Sequence, residues 1–336
     1  MYNSDEIANL HPPPNYEEEN ERLRRITGFV TTLTKEGDTR ALAFARFYHV
    51  RRVVWTSRWI ARRLEGGDFN VVNDLGWAHD LNRWPFAHNS EKGRYNQAGD
   101  LVRYFSSRSI DISERSLIDL RGIIDKDPNK LSIEGKIVLL SDMLTGFVED
   151  PLWMATALDL RPDLIPPSVS EYLCLDFEGI DFPAIAAAAS SFRGANSHEP
   201  FVSLFDDIFL CCMTRFLETR RPSPHAIASA EFEAKRHMIK DKFMREIIFP
   251  YNNERISKGW LLRRDLIDPL IDSLGDAATA VLTTLDEPQT VALGVERAIV
   301  DEVKRSDFLP VLDYMPRWEP ESSFSRSTRS TQKEEV

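Results

Sequence analysis

Residues 44–60 read FARFYHVRRVVWTSRWI. In this stretch Phe44, Phe47, Tyr48, Val50, Val54, Trp55, Trp59 and Ile60 recur at spacings of three and four, the period of a helix face rather than of a strand. The stretch also carries charge of one sign. Seven arginines lie between Arg40 and Leu64 (Arg40, Arg46, Arg51, Arg52, Arg58, Arg62, Arg63), with no acidic residue among them. The whole chain has a net charge of −11, so this concentration has two readings. It meets a small polyanion, or it is a solvated helix face or subunit interface that pairs with acids elsewhere.

Outward from this helix the same period continues. Val71–Leu81 reads as a shorter helix with Asp68 or Asn70 as N-cap, and Ile112–Ile124 as another begun by Asp111 or Ser113. Ser132 caps a long apolar segment, Ile133–Val148, which Pro151 is expected to help end. Ser229–Ile248 and Arg264–Leu274 also read as helices, and alternating strand patterns are scarce. The expected fold is therefore all-α, with one domain over about residues 25–315; a division near Pro162–Pro167 is the alternative. Residues 1–24, with Pro12-Pro13-Pro14 and Glu17-Glu18-Glu19, read as a flexible arm, and residues 316–336 as a disordered tail. Neither end offers enough apolar surface of its own to offset the entropy of ordering it.

Composition narrows the classes. With 336 residues and 42% apolar content the chain can bury a sizeable core, and 28% charged residues is far from a disordered composition. The longest apolar runs, Ile137–Leu140 and Ile208–Met213, fall well short of a membrane span, so no membrane partner is expected. The first residues, MYNSDEIANLHPPP, lack the basic start and apolar stretch of a secretion signal. Three cysteines (Cys174, Cys211, Cys212) are too few for a disulfide scaffold, and a reducing cytoplasm is the expected location. Acidity speaks against a general nucleic-acid binder, leaving nucleic acid at most as a regulator. There is no GxxxxGK[ST], GxGxxG or CxxC, and Lys235, Arg236, Lys240, Lys242 and Arg245 read as a solvated basic helix face.

Three of the seven histidines, His49, His79 and His88, lie within 40 residues. His79 and Asp80 are adjacent, in GWAHDLNRWPF. Neighbours on a helix point about 100° apart, so the two can share an ion only at a helix end or edge. His49 on the arginine-rich helix is a natural third ligand. Asp142 is a natural fourth, because it interrupts the apolar run IVLLSDML, and a carboxylate in such a place must be paired, hydrogen-bonded or metal-bound. Two imidazoles and two carboxylates suit a first-row divalent ion with open positions. Each residue taken singly also has a plain reading as a hydrogen-bonded core or surface side chain.

The order His, then His-Asp, then a distant Asp resembles the HD-domain metal-dependent phosphohydrolases, and within them the deoxynucleoside triphosphate triphosphohydrolase (dGTPase) branch. There the first His sits in segments like RLTHS or RFEHS, and here it ends Arg46-Phe47-Tyr48-His49. There the His-Asp pair opens stretches like HDLGHPPFGHAGE, and here residues 79–91 read HDLNRWPFAHNSE, with Pro85-Phe86, His88 and Glu91 in register. Weaker likeness appears in Val148-Glu149-Asp150 and in residues 242–256, KFMREIIFPYNNERI. The likeness covers most of residues 40–275, thinly in the middle.

The resemblance implies an all-α HD-domain helical bundle with a helical C-terminal extension. It implies a divalent metal ion (Mn, Fe, Co, Mg, Ni or Zn) held by His49, His79, Asp80 and Asp142, with Arg46 touching substrate phosphate. His88 would act as general acid or base, with Glu91 orienting it. The implied reaction is hydrolysis of a nucleotide, foremost a dNTP cleaved at its α-phosphorus to deoxynucleoside and triphosphate. A homo-oligomer is compatible with it. Three positions depart from the family: a His is usual where Arg83 stands, another near Tyr95, and a Tyr where Gly146 stands. Arg83 can supply a phosphate contact in place of the missing His, since guanidinium binds phosphate bidentately. The departures leave two alternatives open. One is another HD phosphomonoesterase or phosphodiesterase; the other is a non-catalytic HD module that binds nucleotide or nucleic acid.

Overall fold

The computed structural model describes residues 4–23, 46–63, 67–82, 97–157, 165–175 and 199–248. Among the described residues the structure is helical and has no strand, in agreement with the all-α reading. The helices are α1 (Asp5–Ala8), α2 (Glu17–Leu23), α3 (Arg46–Ala61), α4 (Phe69–Ala78), α5 (Leu101–Ser107), α6 (Glu114–Asp125), α7 (Ile133–Ala157), α8 (Pro167–Leu173), α9 (Glu199–Arg220) and α10 (Ala230–Arg236). A π-helical segment, His237–Ile248, continues directly from α10. No helix among the described residues is long and apolar enough to cross a membrane.

Side chains that compete for backbone hydrogen bonds set the helix starts. Asp68 accepts from the Asn70 N–H at 2.8 Å and begins α4. Ser113 accepts from Ser116 N–H at 3.0 Å, Ser132 from Gly135 N–H at 3.0 Å, and Ser229 from Phe232 N–H at 3.2 Å. Each such cap is worth about 1 kcal/mol. Ser132 is itself fixed from behind, donating its hydroxyl to Asp119 at 2.6 Å. Pro151 does not end α7, which continues to Ala157 with the proline inside it. A proline removes one backbone donor, but Leu152 beside it is fully buried, and packing there outweighs the lost bond.

Helix α3 is the axis of the core. It packs against α4 and α7, and only Arg58 and Trp59 among its residues escape burial. The single apolar stripe expected from the spacing is therefore only part of its buried surface. Val50, Val53 and Val54 are fully enclosed, and so is Arg52. The close approach of α4 depends on Gly76, where a Cβ would lie 3.1 Å from Val54 Cγ2.

The flexible-arm expectation for residues 1–24 is corrected over residues 4–23, which fold onto this core. Ile7, Tyr16 and Leu23 are completely buried, and Leu10 nearly so. Polar ties add to them. Glu6 accepts from the Trp55 indole N–H at 3.0 Å, the Tyr16 hydroxyl donates to Asp74 at 2.9 Å, and Glu19 pairs with Arg108 at 2.8 Å. The arm has too few apolar residues to fold by itself, but the body supplies the missing half of each contact. The predicted tail at 316–336 and the predicted helix Arg264–Leu274 lie outside the described residues.

Candidate metal centre

The site forms where α3, the end of α4 and the middle of α7 meet. His49 projects from α3 and Asp142 from α7. His79 is the C-cap residue of α4, at the helix end that the adjacency of His79 and Asp80 requires. One ligand-type atom from each of His49, His79 and Asp142 lies within 4.8 Å of the others. His49 Nε2 is 3.2 Å from Asp142 Oδ1. Two donors each about 2.1 Å from one ion stand roughly 3–3.4 Å apart, so this pair already has the separation of neighbouring ligands.

Both imidazoles are held by their other nitrogen. His79 Nδ1 is 2.7 Å from the Gly76 carbonyl, an acceptor only, which fixes the proton on Nδ1 and leaves the Nε2 lone pair bare. That Nε2 is buried and makes no hydrogen bond among the described residues. His49 Nδ1 is 2.7 Å from Glu149 Oε2, which sits two turns beyond Asp142 on α7. A histidine whose Nδ1–H is donated to a carboxylate or carbonyl while Nε2 faces a shared centre is the arrangement that supports a metal ligand. The residues present thus fit a divalent cation.

Asp80 stands beside this group rather than in it. Its carboxylate is 3.6 Å from His79 Nε2 and 3.4 Å from an Arg46 terminal nitrogen. Arg46 is buried, and among the described residues its Nε and second terminal nitrogen have no hydrogen-bond partner. Arg83, His88 and Glu91 lie outside the described residues, as does Tyr95.

Electrostatics follow from the packing. Burial lowers the pKa of His49, yet Glu149 and Asp142 on its two ring nitrogens outweigh this and leave it raised. His79 is lowered, mainly by burial, and stays neutral. Burial raises the carboxyls, but Lys126 and the two histidines hold Asp142 well below the usual range, while His49 and Arg52 bring Glu149 down to about 2. Without metal, the two carboxylates thus favour the protonated form of His49. A raised folded pKa keeps that proton bound up to a higher pH than in an ordinary histidine. Metal affinity should fall as pH drops through that value and level off above it. Calorimetric titration of metal in buffers of different ionisation enthalpy should register release of about one proton near neutral pH; no proton release would contradict this charge state.

Four features were not visible as site elements in the sequence. Lys126, in the left-handed conformation that ends α6 (φ 57°), reaches the free oxygen of Asp142 as an ion pair. Its ammonium occupies the cation position on that carboxylate. Glu149 is the partner of His49, and it interrupts an apolar stretch just as Asp142 does, so the same argument could have found it. Arg52 lies behind it, 2.5 Å from Glu149 and 2.6 Å from Asp206. Lys240, read as part of a solvated face, instead pairs with buried Asp150, and a Cβ on Gly146 would lie 3.6 Å from its Nζ. Set beside known proteins, the chain matches no family model and no curated protein.

Proposed function

We propose that the chain is a metal-dependent phosphohydrolase acting on nucleotides, foremost on a deoxynucleoside triphosphate that it splits into deoxynucleoside and triphosphate. The observation that carries this reading is the convergence of His49, His79 and Asp142, with the His79 Nε2 lone pair buried and without a hydrogen bond. A divalent ion in that position supplies Lewis-acid polarisation of a phosphoryl group. The chain's own groups do the rest. His49 and His79 are aimed by Glu149 and the Gly76 carbonyl. Arg46 brings buried, unused guanidinium donors to the same place, suited to a phosphate oxygen. The HD-domain bundle and the proton-handling role of His88 and Glu91 rest on the sequence resemblance. A second reading, a non-catalytic HD module, draws on Lys126, whose ammonium already neutralises Asp142.

Incubating the full chain and Mn²⁺ with a panel of nucleotides, and identifying products by chromatography, separates these readings. Deoxynucleoside with triphosphate is expected. Orthophosphate or a nucleoside monophosphate would point to another HD chemistry, and bound metal without turnover to the binding module. In the same assay, His88→Ala should keep its metal and lose activity by about 10²–10⁴-fold, the usual worth of general acid–base help. Arg46→Ala should raise KM while metal content stays unchanged. Wild-type kinetics in that variant would remove Arg46 from the substrate contacts.

A further inference from the structure

Helix α7 is enclosed where it passes the metal centre, except along one strip. From Ile137 to Asp150 every residue is buried apart from Asp142, Met143 and Gly146. Asp142, Gly146 and Asp150 follow at four-residue intervals, so they climb that strip in steps of about 6 Å. Each end of the strip carries a lysine brought by another element. Lys126 from the end of α6 pairs with Asp142, and Lys240 from the π-helical segment pairs with Asp150. Between them, a Cβ on Gly146 would meet only Lys240 Nζ among the described residues, at 3.6 Å. The Lys240 ammonium therefore lies over the middle of the strip, with open space beside it.

Both lysines have donors left for a ligand. Their carboxylate partners are only 15% and 6% exposed, but the lysine side chains are 44% and 35% exposed. An ammonium has three donors, and a single carboxylate does not use them all. Neither lysine stands in an ordinary helical position. Lys126 has a left-handed backbone (φ 57°), where glycine is the usual residue. The turn is held by the Lys126 and Asp127 N–H groups, which donate to the Ile123 and Gly122 carbonyls at 3.2 and 2.9 Å. Lys240 belongs to a π-helical stretch, a geometry frequent at functional sites. Ile239 and Phe243 beside it are fully buried, and its ammonium lies 5.8 Å from the centre of the Phe147 ring. The backbone of each lysine is thus fixed while its tip reaches solvent.

We propose that this strip holds the polyphosphate tail of the nucleotide, with Lys126 on the phosphate nearest the metal centre and Lys240 on the far end of the tail. The inference rests on the nucleotide phosphohydrolase reading and adds to it the residues that measure the length of the phosphate chain. The two lysine charges balance those of Asp142 and Asp150, so a divalent ion on Asp142 leaves the strip positive. A single phosphate beside Asp142 reaches Lys126 but falls short of Lys240, which lies about one helix turn further along. A chain of three phosphates spans both. Lys240 is thereby a specificity-determining residue, selecting triphosphate over shorter tails.

Calorimetric titration of inorganic tripolyphosphate, pyrophosphate and orthophosphate into the full chain, all in excess Mg²⁺, tests this without any turnover. Tripolyphosphate should bind at least about tenfold tighter than orthophosphate, the worth of one added charged hydrogen bond. Lys240→Met should remove most of that advantage and leave orthophosphate binding unchanged, whereas Lys126→Met should weaken all three. Lys240→Met strands the buried Asp150. Lys240→Met/Asp150→Asn is therefore measured beside it, since that pair keeps the net charge and leaves no unpaired carboxylate. Lys240→Arg should retain the preference, and thermal melting checks that each variant is folded. A dNTP analogue with a methylene group in place of O5′, which cannot be cleaved there, should displace tripolyphosphate competitively. Equal affinity for the three anions, binding of none, an unchanged preference in the double variant, or an analogue that does not compete would each overturn the proposal. A chain that shows the length preference yet hydrolyses no nucleotide would uphold the tail site and contradict the activity.

Discussion

Replacing Arg52 by alanine is expected to destabilise the fold by about 3–5 kcal/mol, the usual cost of removing one partner from a buried charge network. Arg52 is completely enclosed, 2.5 Å from Glu149 and 2.6 Å from Asp206, with its guanidinium 4.6 Å from the centre of the Phe205 ring. It links α3 to both α7 and α9. Its removal leaves two buried carboxylates facing one another, with Arg51 beside Asp206 and His49 beside Glu149 among the described residues. Asp206 shows how finely the network is balanced. Burial and Glu149 raise its pKa, against the lowering by Arg52 and Arg51, and the net shift is upward. Urea denaturation followed by circular dichroism measures the loss, and an Arg52→Ala/Asp206→Asn chain should recover part of it. A loss under about 1 kcal/mol would mean that water reaches these carboxylates and that the network is not a structural tie.

The second large effect is expected at His79. Its Nε2 offers a buried lone pair without a hydrogen bond among the described residues, so His79→Ala should lower divalent-metal affinity by well over 100-fold, beyond the 10–100-fold typical of losing an outer partner. Glu149→Gln should fall within that smaller range, because the amide can still orient the His49 ring but no longer carries the charge. Calorimetric titration with Mn²⁺ and Zn²⁺ reads both. The fold should survive His79→Ala, since the variant leaves the Asp68 cap of α4 and the Gly76–Val54 contact untouched. A His79→Ala chain that binds metal like wild type would place the ion elsewhere.

Much of the helical framework is legible because it is local. Ser132 is a cap in the sequence and a cap in the structure, the structure picks Asp68 and Ser113 from the two candidates each helix start offered, and the period of α3 is plain in residues 44–60. Asp142 is legible for a related reason, a charge placed inside an apolar run. The rest depends on partners far along the chain. Nothing local in Glu18-Glu19-Asn20 or in Arg108-Ser109-Ile110 announces that Glu19 and Arg108 will meet, so residues 4–23 read as an arm until the body is present to receive them. The arginine segment is divided in the same way. Among the described residues Arg46, Arg51 and Arg52 find acids on other elements, while Arg58, Arg62 and Arg63 lie over aromatic rings, and no count of charge along the chain separates the two groups. Lys126 reaches Asp142 through a left-handed turn, and Lys240 reaches Asp150 from a π-helical segment. Both geometries arise from packing, and helical periodicity does not carry them.

The central claim is that His49, His79 and Asp142 hold one divalent ion. X-ray absorption on the zinc-loaded chain tests it most directly, because imidazole rings give outer-shell scattering that can be counted. Zinc bound at one equivalent with nitrogen and oxygen neighbours at about 2.0–2.2 Å is predicted, with two imidazoles in the wild-type chain and one in His79→Ala loaded at high zinc. A zinc environment without imidazole scattering, or one unchanged by His79→Ala, would contradict it.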